Sequence, residues 1–190
     1  MELVSLHSVS KGVVGECGHR GGYFELVGFD IAVAEQIYKV ASLPLCAPVI
    51  GQCMVELMVN PPKEGDPSYL LYKQEVDSVF FMLRSRASSI YEAILGMRGV
   101  SCANPRGSLY VFPTITLPQG TCRAASEQGL AVDEYYCRRL LDGTGICIVP
   151  GTGFGQKKGT FHLRSTFLPE GTEWADRWVQ FHNAFLEEFE

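Results

Sequence analysis

The sequence lacks the features that mark several large classes of protein. Its 190 residues contain no run of lysine and arginine, and the formal net charge is −5 at pH 7. We therefore expect neither a nucleic acid nor an anionic membrane surface as its partner. No apolar stretch approaches the roughly 20 residues that cross a bilayer. No basic segment followed by an apolar one marks a secretory leader at the N-terminus.

Paired cysteines and metal-ligand spacings are also missing. The seven cysteines are odd in number and include no CxxC pair, so neither a disulfide framework nor a zinc site is expected. Free thiols indicate a reducing compartment. We expect the cytoplasm, with the mitochondrion and the peroxisome left open. The four histidines have no mutual spacing typical of a metal site, and we interpret them as structural.

The composition indicates an ordered protein, because 46% of the residues are hydrophobic and only 19% are charged. Strands are predicted over 3–7 and 23–29, on either side of a glycine-rich loop. Helices are predicted over 31–41, capped by Asp30, and over 50–59. The first strand has no obvious partner, and a parallel strand would need partners from elsewhere. We therefore expect the chain to begin inside a longer protein.

The second half predicts a long helix followed by a small α/β unit. Apolar residues recur every three or four positions over 67–95, a length suited to connecting two domains. Strands are predicted near 100–102, 108–112, 146–149 and 161–166, and helices near 122–128, 133–141 and 172–188. The predicted domains are 1–75, a remnant of a larger domain, and 76–190, the long helix with the small C-terminal domain.

The chemistry-bearing stretch lies just after the first strand. Lys11 sits between hydroxyls and glycines, although lysine is rarely buried without a partner or a purpose. An amine that forms a Schiff base needs such a place, because desolvation helps it to lose a proton. Ser8, Ser10 and Arg20 could together hold a phosphate. On pattern alone, however, a lysine in a glycine-rich loop is more often solvated than functional. Cys17 is interpreted as a small packed thiol.

These residues resemble the cofactor-lysine region of fold-type I, pyridoxal-phosphate-dependent aminotransferases. Ser8 precedes Lys11 by three residues and Arg20 follows it by nine. That spacing, with the surrounding glycines, is more narrowly similar to alanine aminotransferases. Further motifs of the family appear in the same order at 60–62, 104–113, 145–156 and 159–164. The resemblance implies an α/β fold with a partial large domain and a small C-terminal α/β domain.

The resemblance also implies roles for individual residues. Lys11 would bond to the aldehyde of pyridoxal 5′-phosphate and move the substrate proton. Arg20, Ser8 and Ser10 would hold the cofactor phosphate. Arg164 would clamp the substrate carboxylate with both arms of its guanidinium, under a loop formed by 145–156.

The implied reaction transfers an amino group from L-alanine to 2-oxoglutarate, giving pyruvate and L-glutamate. Substrates would be small amino acids and 2-oxo acids, and the complete protein would be a homodimer. In the family, the carboxylate for the pyridine nitrogen precedes the lysine, but only ten residues precede Lys11. The chain alone is therefore expected to bind the cofactor weakly. A glutamate–glyoxylate aminotransferase, or a non-catalytic truncated paralogue with a dimerisation or regulatory role, remains an alternative.

Overall fold

A computed structural model describes residues 1–12 and 15–190 of the chain. Val13 and Val14, inside the predicted glycine-rich loop, lie outside the described residues. The chain divides into two compact units, Met1–Val79 and Phe80–Glu190. The division falls inside one continuous helix, α3, which spans Tyr69–Leu95. The fold is mixed α/β, as the sequence predicts.

The first unit begins with an antiparallel hairpin. Strand β1, Leu3–Ser8, pairs with β2, Gly22–Val27. The expectation that the first strand lacks a partner nearby is therefore wrong. Antiparallel neighbours can be joined directly by a loop, whereas parallel neighbours need a crossover.

Two helices follow the hairpin in the first unit. Helix α1 spans Ile31–Ala41, and the Asp30 carboxylate accepts a hydrogen bond from the backbone nitrogen of Ala32 at 2.9 Å. This is the N-cap that the sequence predicts, and it satisfies a backbone donor that the helix itself leaves free. Helix α2 spans Val49–Val59 and begins after Pro48, which fits the first turn because it lacks a backbone donor.

The second unit is built around a central strand, Phe161–Thr166, called β7. The remaining helices and strands have the following bounds: β3 Val100–Ser101, β4 Tyr110–Val111, β5 Thr114–Ile115, α4 Gln119–Glu127, α5 Val132–Thr144, β6 Val149–Pro150, β7 Phe161–Thr166 and α6 Glu173–Phe189. The strand order is β3-β5-β7-β4, and β6 also pairs with β7. All of these pairings are antiparallel. Strand β5 is not predicted from the sequence, because two residues between prolines are too few to show the alternation of apolar and polar side chains that marks a strand.

The core of the second unit contains a series of polar groups that are joined by hydrogen bonds. Trp178 Nε1 donates to the hydroxyl of Tyr136 at 3.1 Å, and that hydroxyl donates to His182 Nδ1 at 3.0 Å. His182 Nε2 donates to the carbonyl of Arg98 at 2.8 Å. Burial lowers the pKa of His182, although the bond to the Arg98 carbonyl opposes that shift. His182 is therefore a neutral core residue, in agreement with its structural interpretation.

Within the described residues, no helix is both long and apolar enough to cross a membrane. No group of three or more histidine, cysteine and acidic side chains there could hold a metal ion. All seven cysteines fall in the described ranges and are free. Cys17 is exposed, so its interpretation as a packed thiol is wrong. Burial raises the pKa of Cys137 to about 12, which makes that thiol unreactive.

Candidate active site

The end of the hairpin brings the predicted phosphate-binding residues together. Ser8 is the last residue of β1 and lies opposite Gly22, the first residue of β2. One residue further, the backbone nitrogen of Val9 donates to the carbonyl of Gly21 at 3.1 Å. Because Val9 precedes Ser10 and Gly21 follows Arg20, both serines and the arginine lie at the same end of the hairpin.

The segment leading to Lys11 is held by local bonds. Ser8 Oγ accepts a hydrogen bond from the backbone nitrogen of Ser10 at 3.1 Å, which turns the chain away from the strand. Val9 is fully buried, and its carbonyl accepts from the backbone nitrogen of Glu16 at 2.8 Å. Val9 thus anchors the loop at the point where the cofactor lysine is predicted.

Arg20 has a constrained backbone. Its φ of 55° and ψ of 53° lie in the left-handed region, which costs a non-glycine residue on the order of 1–3 kcal/mol. The start of α2 packs closely there: a Cβ on Gly51 would lie 2.7 Å from the carbonyl oxygens of both His19 and Arg20. A Cβ on Gly21 would overlap the Gly51 carbonyl. Arg20 Nη1 donates to the carbonyl of Cys17 at 3.2 Å, leaving its other donors available.

Lys11 is exposed in this chain. A lysine that reacts as a neutral amine needs an environment that disfavours its charge. The described residues of the first unit leave Lys11 open to solvent. The Ser8 hydroxyl donates to the Gly21 carbonyl at 3.5 Å, a long bond that a stronger acceptor could replace. The two hydroxyls and the guanidinium at this end of the hairpin nevertheless fit a phosphate dianion in chemical type, and the adjacent amine fits an aldehyde.

Arg164 lies in the second unit, on β7, and is half-buried. Its guanidinium carbon is 4.7 Å from the centre of the Tyr110 ring and 4.8 Å from that of Phe154. Aromatic faces attract the cation and reduce its access to water. An arginine held in this way is prepared to bind a carboxylate through two parallel hydrogen bonds. It is not the fully solvated strand residue that the alternating pattern alone would favour.

Further aromatic rings extend this surface. The Phe112 ring meets Phe154 edge-on, with centroids 5.7 Å apart, and stacks on His162 at 5.3 Å. His162 is two residues before Arg164 on the same strand, so both side chains lie on one face of the sheet. The face presents one cation within an aromatic cluster, which suits a small carboxylate whose remaining atoms are apolar.

Asp133 is a residue that sequence reasoning missed. It lies in the first turn of α5 and is 1% exposed. Its carboxylate accepts from the backbone nitrogen of Thr152 at 2.7 Å, from Thr152 Oγ1 at 2.5 Å and from Gln156 Nε2 at 2.9 Å. An acidic residue in the first turn of a helix is common, so only the contacts with residues some twenty positions away distinguish Asp133 from an ordinary one.

The fold is similar to that of solved aminotransferases. A solved alanine aminotransferase from Pyrococcus furiosus superposes with a TM-score of 0.74 at 25% identity, over 97% of this chain and 43% of that one. The chain therefore has the architecture of part of a fold-type I aminotransferase. No family model matches it.

Relatives found by sequence similarity are named alanine aminotransferases. The mitochondrial alanine aminotransferase of Saccharomyces cerevisiae is 48% identical over 189 residues, which is 100% of this chain and 32% of that protein. A second yeast protein, named inactive alanine aminotransferase, is 43% identical over 100% of this chain and 37% of its own length. The chain spans about a third of the length of these two relatives. Along that span it corresponds to the C-terminal portion of alanine aminotransferases.

Proposed function

We propose that this chain is part of an enzyme that transfers the amino group of L-alanine to 2-oxoglutarate, giving pyruvate and L-glutamate. The observation that carries the proposal is the set of groups at the end of the β1–β2 hairpin: two hydroxyls, a guanidinium and an amine next to one hydrogen-bonded backbone pair. The similarity to alanine aminotransferases over the whole chain supports the choice of substrate.

Each residue has a proposed role. Arg20, Ser8 and Ser10 would hold the phosphate of pyridoxal 5′-phosphate, and Lys11 Nζ would lie at its aldehyde. Once the substrate amino group has displaced it, the free Lys11 amine would take the proton from the substrate Cα. Arg164 binds the substrate carboxylate and fixes the direction of the Cα–H bond. The cofactor, when bound, supplies an electron sink that makes that proton acidic.

The chain alone is proposed to be an incomplete enzyme. Lys11 is exposed, and the first unit has an apolar groove of about 500 Å³ between the hairpin and α1. Its lining includes Val4, Leu6, Phe24, Leu26, Val33 and Ile37. Since the relatives are about three times as long, we propose that the additional part of such an enzyme covers this groove. It would also supply the carboxylate for the pyridine nitrogen, and the complete enzyme would be a homodimer in a reducing compartment.

A non-catalytic paralogue is the second candidate. The exposure of Lys11 and the 43% identity to a protein named inactive alanine aminotransferase favour it. Such a protein would retain the fold and the carboxylate site while binding the cofactor without turnover. A preference for glyoxylate as acceptor is a variant of the enzyme proposal, and direct comparison of glyoxylate with 2-oxoglutarate separates the two.

Trapping the lysine adduct tests the proposal. The chain is incubated with pyridoxal 5′-phosphate, reduced with borohydride and mapped by peptide mass spectrometry. We expect modification at Lys11 above that of the exposed control Lys157, and its loss in Arg20→Gln because the phosphate is no longer held. Equal labelling of both lysines after the additional part of a relative has been supplied would refute the cofactor site. Specific labelling without alanine-dependent pyruvate formation, even when the missing part of a relative is added, would favour the non-catalytic candidate.

A further inference from the structure

The loop that contains Phe154 is tied at both ends to one buried carboxylate. Asp133 accepts hydrogen bonds from the backbone nitrogen and the hydroxyl of Thr152 and from Gln156 Nε2. Thr152 lies two positions before Phe154, and Gln156 lies two positions after it. No cation pairs with this carboxylate among the described residues. A buried charge is unfavourable unless hydrogen bonds replace its water. The loop supplies them, so Asp133 stabilises a single loop conformation.

Gln156 connects the same loop to the strand that carries Arg164. Its Nε2 points to Asp133 and also lies 3.1 Å from Thr152 Oγ1. Its Oε1 accepts from the backbone nitrogen of His162 and lies 3.0 Å from His162 Nδ1. Both ends of the amide are therefore in use, which fixes its orientation.

Gly151 permits the close approach of loop and strand. A Cβ at this position would lie 2.7 Å from the Cβ of His162 and 2.8 Å from its carbonyl oxygen. No larger residue fits without moving the backbone. The loop is thus held by hydrogen bonds from one side and by direct contact with β7 on the other, and it places the Phe154 ring beside Arg164.

We propose that Asp133 is a positioning residue for the substrate carboxylate site, acting on Arg164 through the loop and the Phe154 ring. The inference rests on the proposed function, in which Arg164 binds the substrate. With the loop released, one of the two rings beside the guanidinium is lost, and the arginine must be ordered when the carboxylate binds. Ordering one long side chain at that moment should lower the affinity roughly 3- to 10-fold, which corresponds to about 0.6–1.4 kcal/mol.

The chain offers a matched pair of variants. Asp133→Asn cannot accept all three loop hydrogen bonds. Glu134→Gln removes the same charge from the same helix turn, but Glu134 is exposed and, among the described residues, makes no hydrogen bond or ion pair to the loop. Because Asp133→Asn could also destabilise the unit, Thr152→Val provides a milder test: Thr152 is exposed, and the change removes only its hydroxyl. Thr152→Ser retains that hydroxyl and serves as the rescue.

Two measurements separate positioning from a purely structural role. In the chain with ¹⁵N-labelled arginine, the Arg164 Nε–H resonance reports on the nearby rings. Titration with pyruvate then gives the dissociation constant of a short carboxylate, with Arg164→Gln as the negative control. We expect Asp133→Asn and Thr152→Val to move the resonance towards that of free arginine and to weaken pyruvate binding about 3- to 10-fold. Glu134→Gln and Thr152→Ser should behave like the wild type.

The outcomes distinguish the inference from the function on which it rests. Unchanged pyruvate binding in folded Asp133→Asn and Thr152→Val, with Arg164→Gln abolishing it, would overturn positioning and leave the carboxylate site intact. If the wild type binds no carboxylate, the proposed substrate site is wrong. The inference is then decided by the Arg164 resonance, and an unshifted resonance in both variants refutes it.

Discussion

The two units differ sharply in how many of their apolar side chains they bury. Among the described residues, Val9 is the only buried hydrophobic residue of the first unit, whereas the second unit has a continuous core that includes Trp178, Phe185 and Leu163. Many large hydrophobic residues of the first unit are exposed, Leu6 to 76% and Val40 to 67%. The first unit therefore has local structure without its own core, and the second is a domain in the ordinary sense.

This difference determines where each of the two candidate sites obtains its order. The end of the hairpin proposed to bind a phosphate depends on backbone hydrogen bonds and on close glycine contacts with α2. The proposed carboxylate site lies on the packed core of the second unit. A two-stranded hairpin without a buried face is marginal by itself. We therefore expect the second unit to be the more resistant to unfolding.

The largest effect should come from removing a core side chain of the second unit. Leu163→Ala on β7 deletes a fully buried side chain and should lower the free energy of unfolding by about 2–5 kcal/mol. Leu6→Ala in the first unit is the control and should change it by less than about 0.5 kcal/mol. Both tryptophans lie in the second unit, so urea unfolding followed by their fluorescence reports on it alone. Equal effects of the two changes would contradict the comparison.

The first unit should be most sensitive to substitution at Gly51, where two backbone segments are in close contact. Gly51→Ala places a methyl group against the carbonyls of His19 and Arg20 and should cost about 1–3 kcal/mol locally. Hydrogen exchange of β2 and α2 should accelerate, and phosphate-dependent labelling of Lys11 should fall. Gly18→Ala has open space and an unstrained backbone, so it should leave both unchanged. Normal exchange in Gly51→Ala would show that the close approach is not needed.

A pH effect of intermediate size should be confined to the second unit. Burial lowers the pKa of His182 below the ordinary value of 6.5, so the folded state prefers the neutral ring. The unfolded chain binds the additional proton as pH falls below 6.5, and stability is lost by up to about 1.4 kcal/mol per pH unit until the folded ring also titrates.

The nearby charge that acts on the His182 ring is that of Arg98. The hydrogen-bond partners of the ring are the Arg98 carbonyl and the Tyr136 hydroxyl. Urea unfolding between pH 5 and pH 8, followed by tryptophan fluorescence, measures the slope of the free energy of unfolding against pH. His7→Gln, in the first unit, should retain the slope and His182→Gln should reduce it. If both variants keep the wild-type slope, His182 is not its source.

The smallest effect should come from a surface ion pair of the second unit. Arg139 contacts Glu188 through two nitrogens, at 3.0 and 2.7 Å, and this pairing lowers the pKa of Glu188. Both side chains are partly exposed to water, so Glu188→Gln should cost only about 0.2–1 kcal/mol, and less at high salt. A larger loss of unfolding free energy that does not depend on salt would mean that surface charge contributes as much to the stability of the second unit as its core does.

Sequence predicted the long elements well and the contacts between them poorly. The Asp30 cap, the helix ending at Leu95 and the strand Phe161–Thr166 were readable because propensity and period are local properties. The pairing of β1 with β2 and the short strand β5 were not. Among site residues, Lys11, Arg20 and Arg164 came from a resemblance in short motifs and their roles stay predictions.

Asp133 could not be found in this way. Its partners are 19 and 23 residues away in sequence, and its own neighbourhood is that of an ordinary helix start. Residues that act through a second group leave little local signal, because the hydrogen bond that defines them depends on the folded path of the chain.

The pairing of β7 protects the alignment of its arginine. Successive pairs of its residues face β5, then β6, then β4, with Arg164 opposite Val149 in the middle. A slip by a single residue would exchange Arg164 for a neighbour pointing to the other face, and it would have to break all three ladders together. Substitutions that weaken one ladder can therefore accumulate over time while the other two still aim the guanidinium correctly.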